Sequence, residues 1–377
     1  MSRRLLFSPG FLPSIGGQQN YIYARCMAYP ENLDVLAAYT PGWEDFDKNQ
    51  KFSIYRFNYP WRTPRFSPVR RLLQIYISMR AMYPFLVSGR YDVLEVITVF
   101  PGAIAAMLLP VRKKPKILSY ALGDDILRPL MTSYAYPFFK YALSKIDFFV
   151  AISNYTKNLL IRAGVSPEKI AVVFPPLDKE RFSRRGDSAR IRSLLPPHNL
   201  LILSVARLVR KKGIDTVISL LPEITKKFPG LLYVVAGEGE DRPRLESMAA
   251  QLGVSDHVFF FGKVPADLLV DLYAAADVFV LPTREDPKTG SVEGFGIVFL
   301  EAGSQEVPVI GPNRGGSTDA IIDGVTGYLV DPYNPEEIRT RLTQLLSNPD
   351  LRRRLGAEGR KRALLPTDWS PILTFTS

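Results

Sequence analysis

The chain has 377 residues, of which 46% are hydrophobic and 23% are charged, and this is the composition of an ordinary globular protein with two or three domains. Its single cysteine, Cys26, excludes an internal disulfide bond, and with only two histidines we expect no metal site. The net charge is +11, and residues 1–190 contribute 27 basic against 14 acidic side chains, so the positive excess lies in the first half and favours anionic partners.

The N-terminal stretch starts with two arginines, but Pro9 and Gly10 interrupt it before the apolar core of a signal peptide could form. The longest apolar run, residues 93–111, contains Glu95 and two prolines. Such a run predicts a buried strand followed by a short helix rather than a membrane span. We therefore expect a cytoplasmic protein without a transmembrane anchor.

Apolar strands alternate with helical patterns in the first half of the chain. Gly16 and Gly17 follow the first strand and open a helix, where the backbone can approach a phosphate closely. Taken alone, paired glycines before a helix more often mark an ordinary turn. The predicted strands are residues 5–8, 35–39, 93–97, 117–120, 148–152 and 171–174.

Residues 61–90 contain six arginines and no acidic residue, interleaved with aromatic side chains. A basic, aromatic and partly helical surface suits an anionic membrane face. The alternative is that the apolar side chains of this segment pack into the core while the arginines are solvated; these side chains are Leu72, Leu73, Ile75, Tyr76 and Met79.

A turn-rich segment at 175–187 predicts a linker, after which the alternation resumes. The fold class is therefore α/β, with two Rossmann-like domains, 1–180 and 181–365, whose parallel sheets face a central cleft. Ligands of such sheets bind beyond the carboxyl ends of the strands. In the second half we predict strands at 200–205, 231–236, 258–261, 278–281, 309–311 and 328–330, and helices at 213–227 and 335–346.

Arg207 and Lys212 follow the first strand of the second half. Two cations that converge there could neutralise a diphosphate, the arginine as a bidentate fork and the lysine as a point charge. The alternative is a solvated basic loop, because Arg210 and Lys211 extend the run. The following strand ends in Gly-Glu-Gly without a G-x-G-x-x-G pattern, which disfavours a dinucleotide cofactor.

The most informative stretch lies at 291–316, where Glu293 and Glu301 bracket seven residues that include Gly294 and Gly296. A predicted strand precedes this stretch and a predicted helix, 297–305, begins within it. The helix start favours an anion through its free N–H groups and its dipole. Glu301, about one turn inside, can accept hydrogen bonds from both hydroxyls of a ribose. The stretch therefore predicts a site for a nucleotide diphosphate attached to another group.

In this order the motifs "VARLVRKKGID", "EGFGIVFLEAGSQEVPVI" and "GGSTDAIIDGVTGYLV" resemble those of the retaining glycosyltransferases of family 4, which have the GT-B fold. The resemblance spans nearly the whole chain and is strongest over 200–330. It implies a metal-independent hexosyltransferase with an acceptor-binding first domain and a nucleotide-sugar-binding second domain. It also implies that the C-terminal tail, 366–377, returns toward the first domain. It also implies no cofactor other than the donor substrate, a UDP-sugar or GDP-sugar.

The resemblance further implies roles for individual residues. Glu301 matches the glutamate that holds the nucleotide ribose, and Glu293 matches the one that contacts the hydroxyls of the donor sugar. The backbone amides of Phe295, Gly296 and Ile297 match those that meet the sugar and the diphosphate. The remaining matches are the cations at the departing diphosphate, the glycine loop at the same phosphates, and the backbone segment that holds the base: Arg207 and Lys212, Gly16 and Gly17, and Lys263 and Val264.

The chain departs from the family on the acceptor side. Many members carry a histidine after the strand that matches 117–120, and Leu122 occupies that position here. The first histidine of the chain is His198, so no imidazole of the first domain can serve the reaction. Asp124 and Asp125 are candidates near the acceptor, although an aspartate pair after a glycine is about equally often a helix N-cap.

These observations predict a same-face displacement in which the leaving diphosphate is stabilised electrostatically. The expected setting is polysaccharide or glycolipid assembly, with the enzyme bound peripherally to the inner face of the plasma membrane and a sugar or lipid-linked acceptor. The alternative is a sugar-nucleotide epimerase on the same fold, which would need histidines that the first half lacks. A nucleic-acid partner is not expected, because the basic residues form no recognisable binding motif.

Overall fold

The structure is a computed structural model, and it describes residues 2–13, 16–59, 68–123, 126–127, 136–287 and 289–375. The chain divides into two compact units. Unit 1 comprises Met1–Pro176 together with Thr367–Ser377, and unit 2 comprises Leu177–Pro366. Each unit has its own parallel sheet with helices connecting the strands, so the predicted α/β class is confirmed.

Unit 1 has a seven-stranded parallel sheet in the order β3-β2-β1-β4-β5-β6-β7. Most of its strands are buried along their length, as expected when helices cover both faces of a parallel sheet. The strands are β1 Arg4–Ser8, β2 Leu33–Ala38, β3 Ser53–Phe57, β4 Val93–Val96, β5 Lys116–Ala121, β6 Phe148–Ala151 and β7 Ile170–Val172.

Strand β3 is absent from the sequence-based prediction. It lies at the edge of the sheet and pairs only with β2 among the described strands. Its side chains are exposed or half-buried, and the segment reads Ser-Ile-Tyr-Arg-Phe rather than as an apolar run. An edge strand with one solvated face lacks the continuous hydrophobicity by which the other strands were recognised.

The helices of unit 1 connect successive strands and cover the sheet. Helix α6 begins after Ser153, whose hydroxyl accepts a hydrogen bond from the Thr156 N–H at 3.1 Å, an ordinary N-cap. The helices that precede unit 2 are α1 Gly17–Ala28, α2 Trp43–Lys48, α3 Pro68–Leu86, α4 Ile104–Leu108, α5 Tyr136–Ser144 and α6 Asn154–Arg162.

Unit 2 has a six-stranded parallel sheet in the order β10-β9-β8-β11-β12-β13. All six of these strands were predicted from apolar runs within two residues of their observed bounds. They are β8 Leu200–Val205, β9 Leu231–Ala236, β10 Val258–Gly262, β11 Val278–Val280, β12 Val309–Pro312 and β13 Gly327–Val330.

The helices of unit 2 pack apolar stripes against this sheet. In α9, the buried side chains recur at helical spacing and include Val217, Leu221 and Ile224, which is why residues 213–227 were predicted as a helix. The helices are α7 Lys179–Phe182, α8 Ser188–Arg192, α9 Ile214–Lys227, α10 Arg242–Gln251, α11 Leu269–Ala274, α12 Ile297–Ser304, α13 Ser317–Ala320, α14 Pro335–Ser347 and α15 Pro349–Ala363.

After unit 2 the chain ends in α16, Ser370–Thr374, which belongs to unit 1. The Trp369 ring packs on the Tyr21 ring with centroids 5.3 Å apart. Arg4 donates a hydrogen bond of 2.8 Å to the carbonyl oxygen of Ile372. The C-terminal segment is therefore held by both an aromatic contact and a hydrogen bond from the first strand of unit 1.

A buried ion network lies beneath this segment. The Glu95 carboxylate is fully buried, and it accepts hydrogen bonds from Arg4 at 2.9 Å, from the Tyr120 hydroxyl at 2.6 Å, and from Arg25. The Arg25 side chain is also fully buried. Burial alone would raise the pKa of Glu95, but Arg25 and Arg4 lower it, so the carboxylate stays charged. Loss of any one of these side chains would leave a buried charge or a buried hydrogen-bonding group of the network without its partner.

Among the helices of the described residues, none combines the length and the apolar composition that a bilayer crossing requires.

Candidate active site

Unit 2 has a point where the strand order reverses. Strand β8 pairs with β9 on one side and with β11 on the other, so the chain leaves β8 in one direction and later returns to its opposite edge. Ligands of open parallel sheets bind at this reversal, beyond the carboxyl ends of the two central strands. The loops after β8 and β11 carry the cations and the acids that the sequence singles out.

The first loop carries Arg207 and Lys212. Arg207 is exposed, and it forms no ion pair with any residue that the structure describes. Lys212 ends a short 3-10 turn, Arg210–Lys212, directly before α9. Its ammonium Nζ lies 2.6 Å from Oε2 of Glu293, and each of the two side chains is about one-fifth exposed. The structure therefore brings together two predicted site residues that are 81 positions apart.

The environment of Glu293 keeps its carboxylate charged. Burial alone would raise the pKa of this group, but the Lys212 ammonium, with Lys211 and the Gly294 N–H, lowers it below the usual value of a glutamate. The result is a half-buried ion pair at the start of a helix. A diphosphate entering the site would compete with Glu293 for the same ammonium.

The turn between Glu293 and α12 has the predicted form. Gly296 is the N-cap of α12 and has φ of 87°, a left-handed conformation that favours glycine. The carbonyl oxygen of Glu293 accepts a 2.8 Å hydrogen bond from the Gly316 N–H, which fixes the turn from below. The Phe295 ring is buried, and Ile297 is the first residue of the helix. The first N–H groups of such a helix have no partner within the helix.

Glu301 lies on α12, and Tyr273 of α11 donates a hydrogen bond of 2.7 Å to its Oε2. Burial raises the pKa of Glu301, while the Tyr273 hydroxyl and the Arg181 guanidinium lower it to a smaller extent. Tyr273 was not singled out from the sequence. An aromatic residue in an apolar helix carries no signal that its hydroxyl orients a carboxylate.

The other predicted residues belong to other segments of the chain. Lys263 and Val264 follow β10, the edge strand, which is separated from β8 by β9. Gly16 is the residue before α1, and Gly17 is its first residue, so both belong to unit 1. The acceptor-side candidates, Asp124 and Asp125, lie outside the described residues. Within the described part of the chain, no group of three or more His, Cys, Asp or Glu side chains could hold a metal ion.

Unit 1 has a strand-order reversal of its own, between β1 and β4. A cavity of about 200 Å³ lies there, lined by residues that follow both strands and by polar side chains of α1 and α3. None of the residues that line it is charged; the polar side chains are Gln18, Gln19, Tyr59, Gln74 and Thr98. This cavity was not predicted from the sequence, although Gln18 and Gln19, which line it, directly follow the glycine pair.

Solved structures with the same architecture identify the fold. Anabaena HepE in complex with UDP superposes with a TM-score of 0.77 at 17% identity, covering 100% of this chain and 97% of that chain. Sucrose-phosphate synthase from Thermosynechococcus elongatus superposes with a TM-score of 0.76 at 20% identity, covering 99% and 97%. At these identities the likeness concerns the fold alone, which is the predicted GT-B fold of glycosyltransferases.

Sequence comparison identifies the family. The profile of the family described as "Glycosyl transferases group 1" matches residues 187–362, and that of "Glycosyltransferase Family 4" matches residues 15–181. The GDP-mannose-dependent alpha-(1-6)-phosphatidylinositol monomannoside mannosyltransferase of Mycolicibacterium smegmatis is 30% identical over 379 residues, covering 97% of this chain and 94% of the relative. The chain belongs to the group 1, family 4 glycosyltransferases.

A second kind of relative matches over a shorter region. The D-inositol 3-phosphate glycosyltransferase of Acidothermus cellulolyticus is 36% identical over 210 residues, which cover 53% of this chain and 45% of the relative. Membership of glycosyltransferase family 4 is thus confirmed, as is a glycosyltransferase that uses a nucleotide sugar. The comparisons do not support the epimerase alternative.

Proposed function

We propose that this glycosyltransferase moves a hexose from a UDP-sugar or GDP-sugar to an acceptor hydroxyl with retention of anomeric configuration. One observation carries the proposal: the Lys212 ammonium lies 2.6 Å from Glu293 at the start of α12, where the strand order of unit 2 reverses. This arrangement offers a cation for a diphosphate and an acid for a sugar within one site.

Negative charge develops on the β-phosphate as the glycosidic bond stretches. Lys212, Arg207 and the free N–H groups of α12 stabilise that charge, and stabilisation of this kind is usually the largest catalytic term. When the diphosphate takes the ammonium, Glu293 becomes available to accept hydrogen bonds from hydroxyls of the donor sugar. Until the donor binds, the ion pair thus keeps the Lys212 ammonium and the Glu293 carboxylate compensated by each other.

Retention follows from a same-face displacement assisted by the leaving phosphate, since no side chain is assigned as a covalent nucleophile. The two cations supply the charge neutralisation that a metal ion provides in other transferases. Turnover should therefore persist in excess EDTA, and nuclear magnetic resonance of the first-formed product should show the anomeric configuration of the donor. An inverted product would contradict the mechanism.

Relatives that match the whole chain favour GDP-mannose as the donor. Those of Mycolicibacterium smegmatis, Mycobacterium tuberculosis and Corynebacterium glutamicum are described as GDP-mannose-dependent mannosyltransferases. In this chain the base would lie against the backbone at Lys263 and Val264, and the ribose would bind Glu301. Gly16 and Gly17 of unit 1 are assigned to the donor phosphates.

The acceptor binds at the cavity of unit 1. Amide and hydroxyl groups without charge suit a ring that carries several hydroxyls, because each hydroxyl can both donate and accept. The relative of Mycolicibacterium smegmatis is described as a phosphatidylinositol monomannoside mannosyltransferase, and inositol and mannose are rings of this kind. A sugar or lipid-linked polyol is therefore the proposed acceptor class, in glycolipid or polysaccharide assembly.

Helix α3 supplies the membrane contact. Leu72, Leu73, Tyr76 and Tyr83 are exposed, and at 100° per residue they occupy an arc of about 100°; we call them the α3 face. The exposed Arg71 and Arg80 belong to the same helix. At 100° per residue Arg80 falls within this arc and Arg71 lies outside it. An exposed arc of leucines and tyrosines that includes an arginine suits an anionic bilayer surface, and the positive charge of the first half adds to the attraction. Ile75 and Met79, in contrast, pack against the core of unit 1.

Vesicle co-sedimentation tests the α3 face. Wild-type protein should sediment with acidic vesicles and less with neutral ones, because only acidic vesicles attract the positive charge. The measurement is made at low salt, because salt screens this attraction. A Leu72→Glu, Tyr76→Glu variant should lose this binding. A Leu252→Glu variant, altered at an exposed leucine of unit 2, is the matched control and should bind as wild type does. Equal sedimentation with acidic and neutral vesicles would contradict the membrane assignment.

A binding and turnover experiment tests the proposed function itself. GDP and UDP should raise the melting temperature of the protein, whereas NAD should not. The corresponding nucleotide sugars, GDP-mannose and UDP-glucose among them, should release nucleoside diphosphate slowly without acceptor. The Lys212→Ala variant should slow this turnover by the equivalent of about 2–4 kcal/mol. No stabilisation by either nucleotide, or full turnover by Lys212→Ala, would contradict the proposal.

A further inference from the structure

Arg284, which lies nine residues before Glu293, contacts the turn that carries Lys212. Its backbone N–H donates a 2.6 Å hydrogen bond to the carbonyl oxygen of Lys211. Its guanidinium Nη2 donates to the carbonyl oxygen of Arg210 at 2.8 Å and to Oδ1 of Asp215 at 2.6 Å. Arg284 is thus bonded to the turn just before Lys212 and to the first turn of α9 just after it.

The turn that carries Lys212 is also closely packed on the segment of Arg284. Gly213, the next residue, has φ of 72°, and a Cβ there would lie 2.2 Å from the carbonyl oxygen of Pro282. The 3-10 turn therefore rests directly on the chain that follows β11. Nearby, the Lys211 ammonium donates a 2.6 Å hydrogen bond to the Ser291 hydroxyl, which joins the same two segments again.

We infer that Arg284 is a positioning residue for the leaving-group cation: it fixes the turn Arg210–Lys212 against the segment that carries Glu293. The guanidinium is about one-quarter exposed, and its Nη2 donates to a carbonyl oxygen and to a carboxylate oxygen at the same time. This inference rests on the proposed role of Lys212. It assigns Arg284 no contact with the substrate.

Its hydrogen bonds to the Lys212 turn distinguish Arg284 from its neighbour Arg244. Arg244 also pairs with Asp215, with its Nη2 at 3.3 Å from Oδ2, and it bonds Asp241 at 2.6 Å. Arg244 has no hydrogen bond to a carbonyl of the Lys212 turn among the described contacts. Removal of Arg244 therefore disturbs the same aspartate while leaving the bonds of Arg284 to the turn in place.

A double-mutant cycle tests the inference, with release of nucleoside diphosphate from the nucleotide sugar that the wild-type protein turns over fastest. Arg284→Ala should lower kcat by about 10- to 100-fold, because a displaced catalytic group costs about that much, and should change KM for the donor less than kcat. Arg244→Ala should stay within about 2-fold of wild type. In the Lys212→Ala background, Arg284→Ala should cost less than about 2-fold, since Arg284 acts through Lys212.

The outcomes separate the inference from the proposed function. Full activity of Arg284→Ala, or an equal fold-loss with and without Lys212, would overturn the positioning role while the role of Lys212 stands. Full activity of Lys212→Ala would overturn both. If Arg284→Ala does not fold, as judged by circular dichroism, Arg284→Lys takes its place in the cycle. Lysine keeps the positive charge beside Asp215 but lacks the planar guanidinium. The comparison of its fold-loss with and without Lys212 then tests the positioning role in the same way.

Discussion

Glu301→Gln is the substitution that most sharply tests how the nucleotide is bound. The amide keeps the shape of the side chain, and its oxygen can still accept the hydrogen bond from Tyr273, which is 2.7 Å from the carboxylate. Among the described side chains, Tyr273 donates the one hydrogen bond to the Glu301 carboxylate. Other lone pairs of the two carboxylate oxygens therefore remain to accept from the ribose hydroxyls. What the substitution removes is the negative charge.

The expected loss follows from the two ribose hydroxyls. A hydrogen bond to a charged group contributes about 1.5–3 kcal/mol, against about 0.5–1.5 kcal/mol for a neutral one. If each of the two bonds is weakened by about 1–1.5 kcal/mol, binding becomes less favourable by about 2–3 kcal/mol, and Kd rises about 30- to 150-fold. Isothermal titration with GDP and UDP measures this change directly.

The pH dependence supplies a second test on the same group. Burial raises the pKa of Glu301, so its carboxyl takes up a proton at a higher pH than an ordinary glutamate as the solution is acidified. Nucleotide affinity should fall as pH decreases through that raised pKa. Tyr273→Phe removes a hydrogen bond that lowers the pKa, and the loss of affinity should then begin at a higher pH. Glu301→Gln should abolish this dependence.

The folded protein gains nothing from the Glu301 charge at neutral pH, because a raised carboxyl pKa means that folding favours the protonated form. The Gln variant should therefore melt no lower than wild type. Unchanged GDP and UDP affinity in a folded Gln variant, or a pH profile identical to that of wild type, would refute the ribose assignment.

Three further outcomes are expected. Lys212→Ala should lower kcat by the equivalent of about 2–4 kcal/mol, the loss seen when one transition-state donor is removed, in a single-turnover assay with saturating donor. Turnover should be unchanged by excess EDTA, and loss of activity that added magnesium restores would contradict a metal-independent reaction. Glu95→Gln should reduce the free energy of unfolding by about 3–5 kcal/mol in urea titration, because Arg25 keeps a fully buried charge without its counterion; a loss below about 1 kcal/mol would contradict this.

Much of the architecture was predictable because buried parallel strands leave a direct trace in the sequence. Each strand of unit 2 is a short, largely apolar run. The helix start at Gly296 was predictable for the same reason, since a glycine followed by an apolar helical pattern is a local signal. The order of the motifs then identified the family, which no single motif does.

Contacts between distant segments could not be predicted. The pairing of Lys212 with Glu293 depends on two loops that meet only because β8 and β11 are neighbours in the sheet. The hydrogen bond from Tyr273 to Glu301 and the bonds of Arg284 to the Lys212 turn arise in the same way. Sequence spacing indicates which residues follow a strand, whereas the sheet order determines which of them meet.

The segment at 61–90 shows a different limit. The two interpretations of its apolar residues were treated as alternatives, and α3 divides them by face. Ile75 and Met79 pack on the core, while Leu72 is 68% exposed and Tyr76 is 56% exposed. Periodicity alone does not separate the two faces when apolar residues occur all around a helix.

The most direct measurement is a crystal structure of the protein with its nucleotide sugar bound. We expect the diphosphate beside Nζ of Lys212 and the guanidinium of Arg207, and the ribose hydroxyls on Glu301. The Glu293 carboxylate, no longer paired with the Lys212 ammonium, should accept hydrogen bonds from the hexose hydroxyls. A donor bound away from the carboxyl ends of β8 and β11, or an intact Lys212–Glu293 pair beneath a diphosphate that neither cation contacts, would contradict this expectation.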